Sequence, residues 1–243
     1  MLFGGIDMDL LIKGSTELNK MFAALQNTAD GLRRDFGEVE NLQQSLKSAR
    51  DFVAKASARI EESILNDLQL VRPNAGLLTP DVSKSGDGRD EFVLALSGAA
   101  NFVRGNAHFA ISLALRSNGE TKIALVYSPI DERLYYAESG FGAYVFSAYH
   151  SEKIRVSNLK EPNDLTIAYN TNGIRPIISG VARETGCPAL DLAWIAAGKF
   201  DAFISDPIDY AEIAAGELLI TEAGGKLFEN GGDIIATNGK VEL

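Results

Sequence analysis

Disulfide chemistry is absent from this chain. A single cysteine, Cys187, occurs in 243 residues, so neither an intrachain disulfide nor a thiol-rich zinc site can form. Basic charge is scarce too. Twenty-three Lys and Arg stand against 33 Asp and Glu, a net charge of −10 and a pI near 4.8. Such a surface repels phosphate backbones and speaks against direct, sequence-independent nucleic-acid binding. No run reaches 18 apolar residues, so no membrane-spanning helix is expected. The opening MLFGGIDMDLL lacks the basic flank and continuous apolar stretch of a secretory signal. No repeat, low-complexity tract or long linker is present. These absences point to a globular protein of the cytoplasm.

Apolar periodicity organises the rest. Leu11, Leu18, Phe22, Leu25, Ala29, Leu32 and Phe36 recur at steps of three, four and seven, one helical stripe that Gly37 is expected to end. A second amphipathic helix is predicted from about Asp51 to Leu70, with Ile60, Ile64, Leu65 and Leu68 on its buried face. Arg72-Pro73 stops it, because a residue before proline avoids the helical region. Residues 79–90 read as a polar loop. EFVLAL, HFAISLALR, TKIALVYS, RLYYAES and GAYVFS then read as an antiparallel meander. Beyond Ser157 strands alternate with helices: LTIAYN, a helix over 189–197, DAFIS, a helix over 210–223, KLFEN and IIATN. The pattern is α+β, with an N-terminal part (1–150) and a C-terminal part (151–243).

Four segments carry a resemblance. They are DFVAKASARIEESI (51–64), SGAANFVRGNAHFAISLAL (97–115), CPALDLAWIAAGKFDAFIS (187–205) and AEIAAGELLITEAGGKL (211–227). In order and spacing they resemble the inositol monophosphatase family of magnesium-dependent sugar-phosphate phosphatases, closest to its bacterial extragenic-suppressor branch. The resemblance implies a layered α-β-α-β-α sandwich, with the pocket where the two parts meet. It also implies homodimers, and two or three magnesium ions that clamp the substrate phosphate through carboxylates.

At the ligand positions the residues differ from the family's. Ser57 stands where the family has Asp, and Pro80 and Asp81 where it has Glu-Glu. Leu94 and Ser97 take two Asp positions, Ala99 a Thr position and Glu212 an Asp position. Ser205 aligns with an acid that contacts the sugar. Gly98, Asn101, Phe102 and Gly105 fix the register, and no Asp occurs between Asp90 and Asp131. Leucine offers neither donor nor acceptor. The expectation is therefore a catalytically inactive pseudo-phosphatase with a binding or regulatory role, holding no metal cofactor. A residual magnesium-dependent phosphomonoesterase and a protein partner in a transcription or RNA-associated complex stand as alternatives. Asp81 and Glu212 are weak metal candidates; a solvated loop acid and a helix N-terminal charge are the preferred readings. The degenerate pocket is expected near Gly98, Gly186, Cys187 and Ser205.

Other features read as scaffold. The run GDGRDE (86–91) lacks the spacing of a calcium loop. His108 and His150 have no serine-nucleophile motif beside them. Cys187 reads as a small buried residue. In Glu222-Ala-Gly-Gly225 the glycines end a helix and turn the chain. The chain stops soon after IIATN, where the family continues into a helix, so part of the last sheet is expected to be exposed.

Overall fold

Two long helices open the computed structural model, whose described residues are 12–42, 46–84, 86, 88–148, 150–172 and 179–241. Leu11, Asp87 and the last two residues lie outside them, as does the side chain of Ser57. Helix α1 covers Thr16–Leu42 and α2 covers Leu46–Val71. Gly37 does not end α1, contrary to the sequence expectation. The stripe continues through Val39, which is fully buried, while a Cβ at Gly31 or Gly37 would meet nothing. A glycine on the outer face costs only about 1 kcal/mol, less than the burial it interrupts is worth.

The first sheet comprises β1 (Gly76–Leu78), β2 (Ser83–Lys84), β3 (Asp90–Ser97), β4 (Ala110–Ser117), β5 (Glu120–Ser128), β6 (Arg133–Glu138), β7 (Gly142–Ser147) and β8 (His150–Ile154). Its spatial order is β2-β1-β3-β4-β5-β6-β7-β8. The meander from β3 to β8 is antiparallel throughout, whereas β1 runs parallel to β3. Part of the expected 79–90 loop is thus strand: its middle forms β2, and Asp90 opens β3. His108 precedes β4 rather than lying within it.

Alternation along these strands sorts residues by size. Phe92, Leu94, Ile111, Leu113, Leu125, Tyr127 and Tyr136 belong to the cluster packed against α1 and α2. The opposite face carries Ala95, Ala110, Ala114, Ala124, Ala137 and Ala143, small enough to admit helices closely. Those helices are α4 (Pro188–Ala196) and α5 (Tyr210–Ala223), both apolar around most of their circumference. A helix apolar on all sides must be covered on all sides. The second sheet supplies the other wall. It holds β9 (Thr166–Asn170), β10 (Val181–Arg183), β11 (Ala202–Ser205), β12 (Lys226–Asn230) and β13 (Asp233–Thr237), ordered β10-β9-β11-β13-β12. A five-residue helix, α3 (Ala99–Val103), follows β3; it was not foreseen from the sequence.

The far face of the second sheet is covered over β9 and β11 and open at its β12 edge, where Phe228 is 40% exposed. Tyr169, Ile204 and Ile235 are 3%, 4% and 8% exposed. Leu165, Ile167, Tyr169, Ala202 and Ile204 form a small cluster with Val241 packed against it. No helix among the described residues is long and apolar enough to cross a membrane.

Two polar contacts fasten the layers. The buried Asp201 carboxylate accepts the Ser157 hydroxyl and the Thr166 amide (2.7 Å), while its carbonyl accepts the Asn238 amide. Glu222, near the end of α5, accepts the amides of Gly140 (2.7 Å) and Gly142 (2.8 Å) at the β6–β7 hairpin tip. Both glycines have positive φ, which lets their N–H groups converge on one carboxylate.

Where α4 crosses α5, Gly216 faces Leu192. A Cβ there would sit 2.4 Å from Leu192 Cδ1 and 2.7 Å from its Cβ. Gly216→Ala should therefore destabilise the fold by about 1–3 kcal/mol despite its better helix propensity. A urea midpoint equal to or above that of the wild type would contradict this packing.

Candidate functional site

The sequence-designated residues divide between two neighbouring places. Pro80, Asp81, Leu94, Ala99 and Glu212 line one cavity of about 180 Å³, together with Ile60, Glu61, Ala95 and Leu96. Gly98, Gly186 and Cys187 gather beside it at the start of α4. A Cβ on Gly98 would lie 3.1 Å from the Cys187 Cβ, and one on Gly186 3.5 Å from the Asn101 side chain. Ser57 lies in α2 one turn before Glu61. Ser205 does not join them. It is fully buried at the end of β11 and shares hydrogen bonds with Asn170 and Asp206.

Each wall follows from its element. Leu94 is 2% exposed and belongs to the core beneath α1 and α2. Ser97 ends β3 fully buried, and its hydroxyl accepts the Ala189 amide (3.2 Å) and the Cys187 thiol (3.6 Å). Asp209 caps α5 by accepting the Ala211 amide at 2.8 Å, which places Glu212 in the first turn. Glu212 stands at a helix N-terminus as the sequence reading has it, but it is not open to solvent. It is half-buried, its Oε2 is shielded without a hydrogen-bond partner, and burial raises its carboxyl above the usual range. The Ser97 hydroxyl acts in the opposite direction and Asp209 in the same one. Asp81 is exposed at the rim, as expected of a loop acid.

Sequence reasoning missed two residues. Glu61 had a signal, since it follows Ser57 by four positions and shares its helical face. Asp191 had one too: it is the lone charge in PALDLAWIA. It is fully buried, accepts the Thr185 hydroxyl at 2.7 Å, and burial pushes its carboxyl up to about 7. Asn101, one of the residues that fix the motif register, sets loop geometry. Its amide indeed donates to the carbonyls of His108 (2.7 Å) and Thr185 (2.8 Å), joining α3 to the α4 approach. Cys187 is the inert buried thiol anticipated, pushed up to about 12 by burial.

Among the described residues, no group of three or more His, Cys, Asp or Glu could hold a metal ion. Glu61, Asp81 and Glu212 share the cavity lining without converging on one point.

The family model described as "Inositol monophosphatase family" matches residues 15–241. A protein of Rhizobium meliloti (strain 1021) named "Inositol-1-monophosphatase" is 38% identical over 228 residues, 87% of this chain and 84% of that one. "Nus factor SuhB" of Escherichia coli (strain K12) is 30% identical, with 92% of each chain covered. The crystal structure of extragenic suppressor protein suhB from Bartonella henselae superposes with a TM-score of 0.80 at 32% identity, covering 93% of this chain and 95% of that chain. These findings bear out the resemblance and the layered α+β fold. They overturn the expectation of a catalytically inactive pseudo-phosphatase, because a relative at 38% identity carries the name of the active enzyme.

Leu94 offers a direct check on the site's polarity. Leu94→Asp places a carboxylate at a position 2% exposed within an apolar cluster. The variant should lose about 3 kcal/mol or more at neutral pH. The loss should shrink on acidification, as the new carboxyl takes up a proton. Equal stability of variant and wild type at pH 7 would show that the position tolerates charge.

Proposed function

Because the chain belongs to the inositol monophosphatase family, we propose that it is a phosphomonoesterase acting on inositol monophosphate or a similar sugar phosphate. The observation that carries this reading is the 38% identical relative named for that activity. The cavity between α2, β3 and α5, lined by residues of the family motifs, supports it.

The residues present do not fit the family's magnesium cluster. Leu94 has no ligand atom, and the Ser97 oxygen already accepts two donors. We propose that no divalent ion takes part. Glu212 then does the proton work. Burial shifts its carboxyl toward the protonated form, which does not repel a phosphate and can donate to the leaving alcohol oxygen. Water attacks phosphorus in line with that oxygen, the P–O bond breaks, and the alcohol departs with the Glu212 proton. The proton lost by water restores the carboxyl. General acid catalysis contributes about 10²–10⁴-fold. Without a metal clamp, turnover is slow.

Phosphate release from inositol 1-phosphate tests both parts. Slow turnover should persist in EDTA and fall as pH rises through the Glu212 ionisation. Glu212→Gln should lower it about 100-fold or more. Millimolar magnesium should leave Tm unchanged, since a bound ion stabilises by mass action. No turnover at all overturns the phosphomonoesterase reading; turnover abolished by EDTA overturns the metal-free part alone.

A second reading is favoured by the relatives named Nus factor SuhB, 28–31% identical to this chain. On this reading the chain, as a homodimer, contacts a protein of the transcription machinery. Its charge of −10 suits protein rather than RNA contact. Co-elution with the host's transcription proteins should survive nuclease treatment, and light scattering should return twice the 26.1 kDa chain mass. A complex dissolved by nuclease, or a monomer at micromolar concentration, would count against it.

A further inference from the structure

Among the described residues, no strand lies beyond β12 in the second sheet. The turn before β13 fixes which backbone groups face that edge. Gly231 and Gly232, both at positive φ, make a two-residue hairpin between Asn230 and Asp233. That closing pair exchanges hydrogen bonds, and in an antiparallel ladder such pairs alternate. Phe228–Ile235 and Lys226–Thr237 are therefore bonded pairs as well. Leu227 and Glu229 turn their N–H and C=O groups the other way, to the free edge.

The side chains of β12 divide by face. Leu227 packs toward α4 and α5. Phe228 lies on the far face, at the end of the cross-strand row Tyr169–Ile204–Ile235–Phe228. Exposure climbs along that row from 3% at Tyr169 to 40% at Phe228. The row stays apolar to its last member and stops without a polar border. The outer edge of the first sheet is different, since β8 exposes His150, Glu152 and Lys153.

Charge is also graded along this hairpin. Lys226 opens β12, while Glu229 and Asp233 stand toward its tip. Charged residues on an edge usually ward off pairing. Here they favour one orientation, because an antiparallel copy sets each basic start against an acidic tip.

We propose that β12 is a self-pairing edge, through which two copies of the chain join antiparallel about a two-fold axis at Phe228. Only outward-facing residues can complete the ladder, so Leu227 lies opposite Glu229 of the partner subunit, and the reverse. Centring the axis on Phe228 pairs all five β12 residues; centring it on Glu229 would oppose like charges. Lys226 then lies opposite Asn230 of the partner subunit, in the row that continues to the partner subunit's Asp233. Phe228 meets its own counterpart in a non-hydrogen-bonded pair, where Cα atoms are about 4.5 Å apart and side chains are closest. Five residues a side make a small contact, so the dimer is weak and reversible. Two chains of charge −10 repel at long range, an effect screened within about 8 Å at physiological salt. The proposal rests on the homodimer of the second reading above and names its surface.

Sedimentation of the full chain at about 0.15 M salt should show a monomer–dimer equilibrium in the micromolar range. Glu229→Pro removes an edge donor without touching the bonds to β13, and should weaken the dimer about tenfold or more. Lys226→Asp should weaken it too, and Lys226→Asp combined with Asp233→Lys should restore it. Circular dichroism checks that each variant is folded. With oxidised glutathione as the electron acceptor, Phe228→Cys should crosslink two copies, because a residue on the axis meets itself at a spacing a disulfide spans. Lys226→Cys should not, and the native Cys187 is fully buried. A dimer that folded Glu229→Pro leaves intact overturns this interface while the homodimer reading stands. A wild type that stays monomeric overturns both. Equal crosslinking at Lys226→Cys and Phe228→Cys, or a charge swap that restores nothing, overturns the two-fold register.

Discussion

The burial of α4 and α5 between two sheets governs this molecule. Both helices are apolar nearly all round, and both meet sheet on two sides. Any polar group they carry must therefore be answered from within the protein. Ser97 answers the Ala189 amide, Thr185 answers half of Asp191, and Asp209 caps α5. What is left unanswered, Glu212 Oε2 and Asp191 Oδ2, is where protons can reside. The site's chemistry is the remainder of its packing.

The cavity has a corresponding character. Leu94, Leu96, Ala95, Ala99 and Ile60 make it largely apolar, and its carboxylates enter from three different elements. Charge placed there is exposed to a low dielectric on several sides, which raises the Glu212 carboxyl above its ordinary range.

Much of the architecture was legible in the sequence because period and size are local signals. The α5 boundaries were read to the residue from apolar content and the glycine pair. The meander was read from its runs of β-branched and aromatic residues. Boundaries set at a distance were not legible. Gly37 signals a stop locally, but Val39 and the core beneath it carry α1 five residues further. In the candidate site, Pro80, Asp81, Leu94, Ala99 and Glu212 were named from the resemblance and do share one cavity. The state of Glu212 was not legible, since burial comes from residues brought to it by folding. Reading the motif positions as proof of inactivity went too far: they say which ligands stand there, whereas the relatives' names bear on activity.

The Glu222 clamp has a consequence for how the chain is made. It joins α5 to the hairpin at Gly140, 82 positions earlier in the chain. The alanine-lined face of the first sheet likewise waits for helices encoded well after its last strand. During synthesis, the first sheet leaves the ribosome with one face bare, and at about 5–20 residues per second that interval lasts several seconds. For that time the nascent chain presents an apolar surface with nothing of its own to cover it. This is the window in which a chaperone, or a neighbouring nascent copy, competes with α5 for the same face.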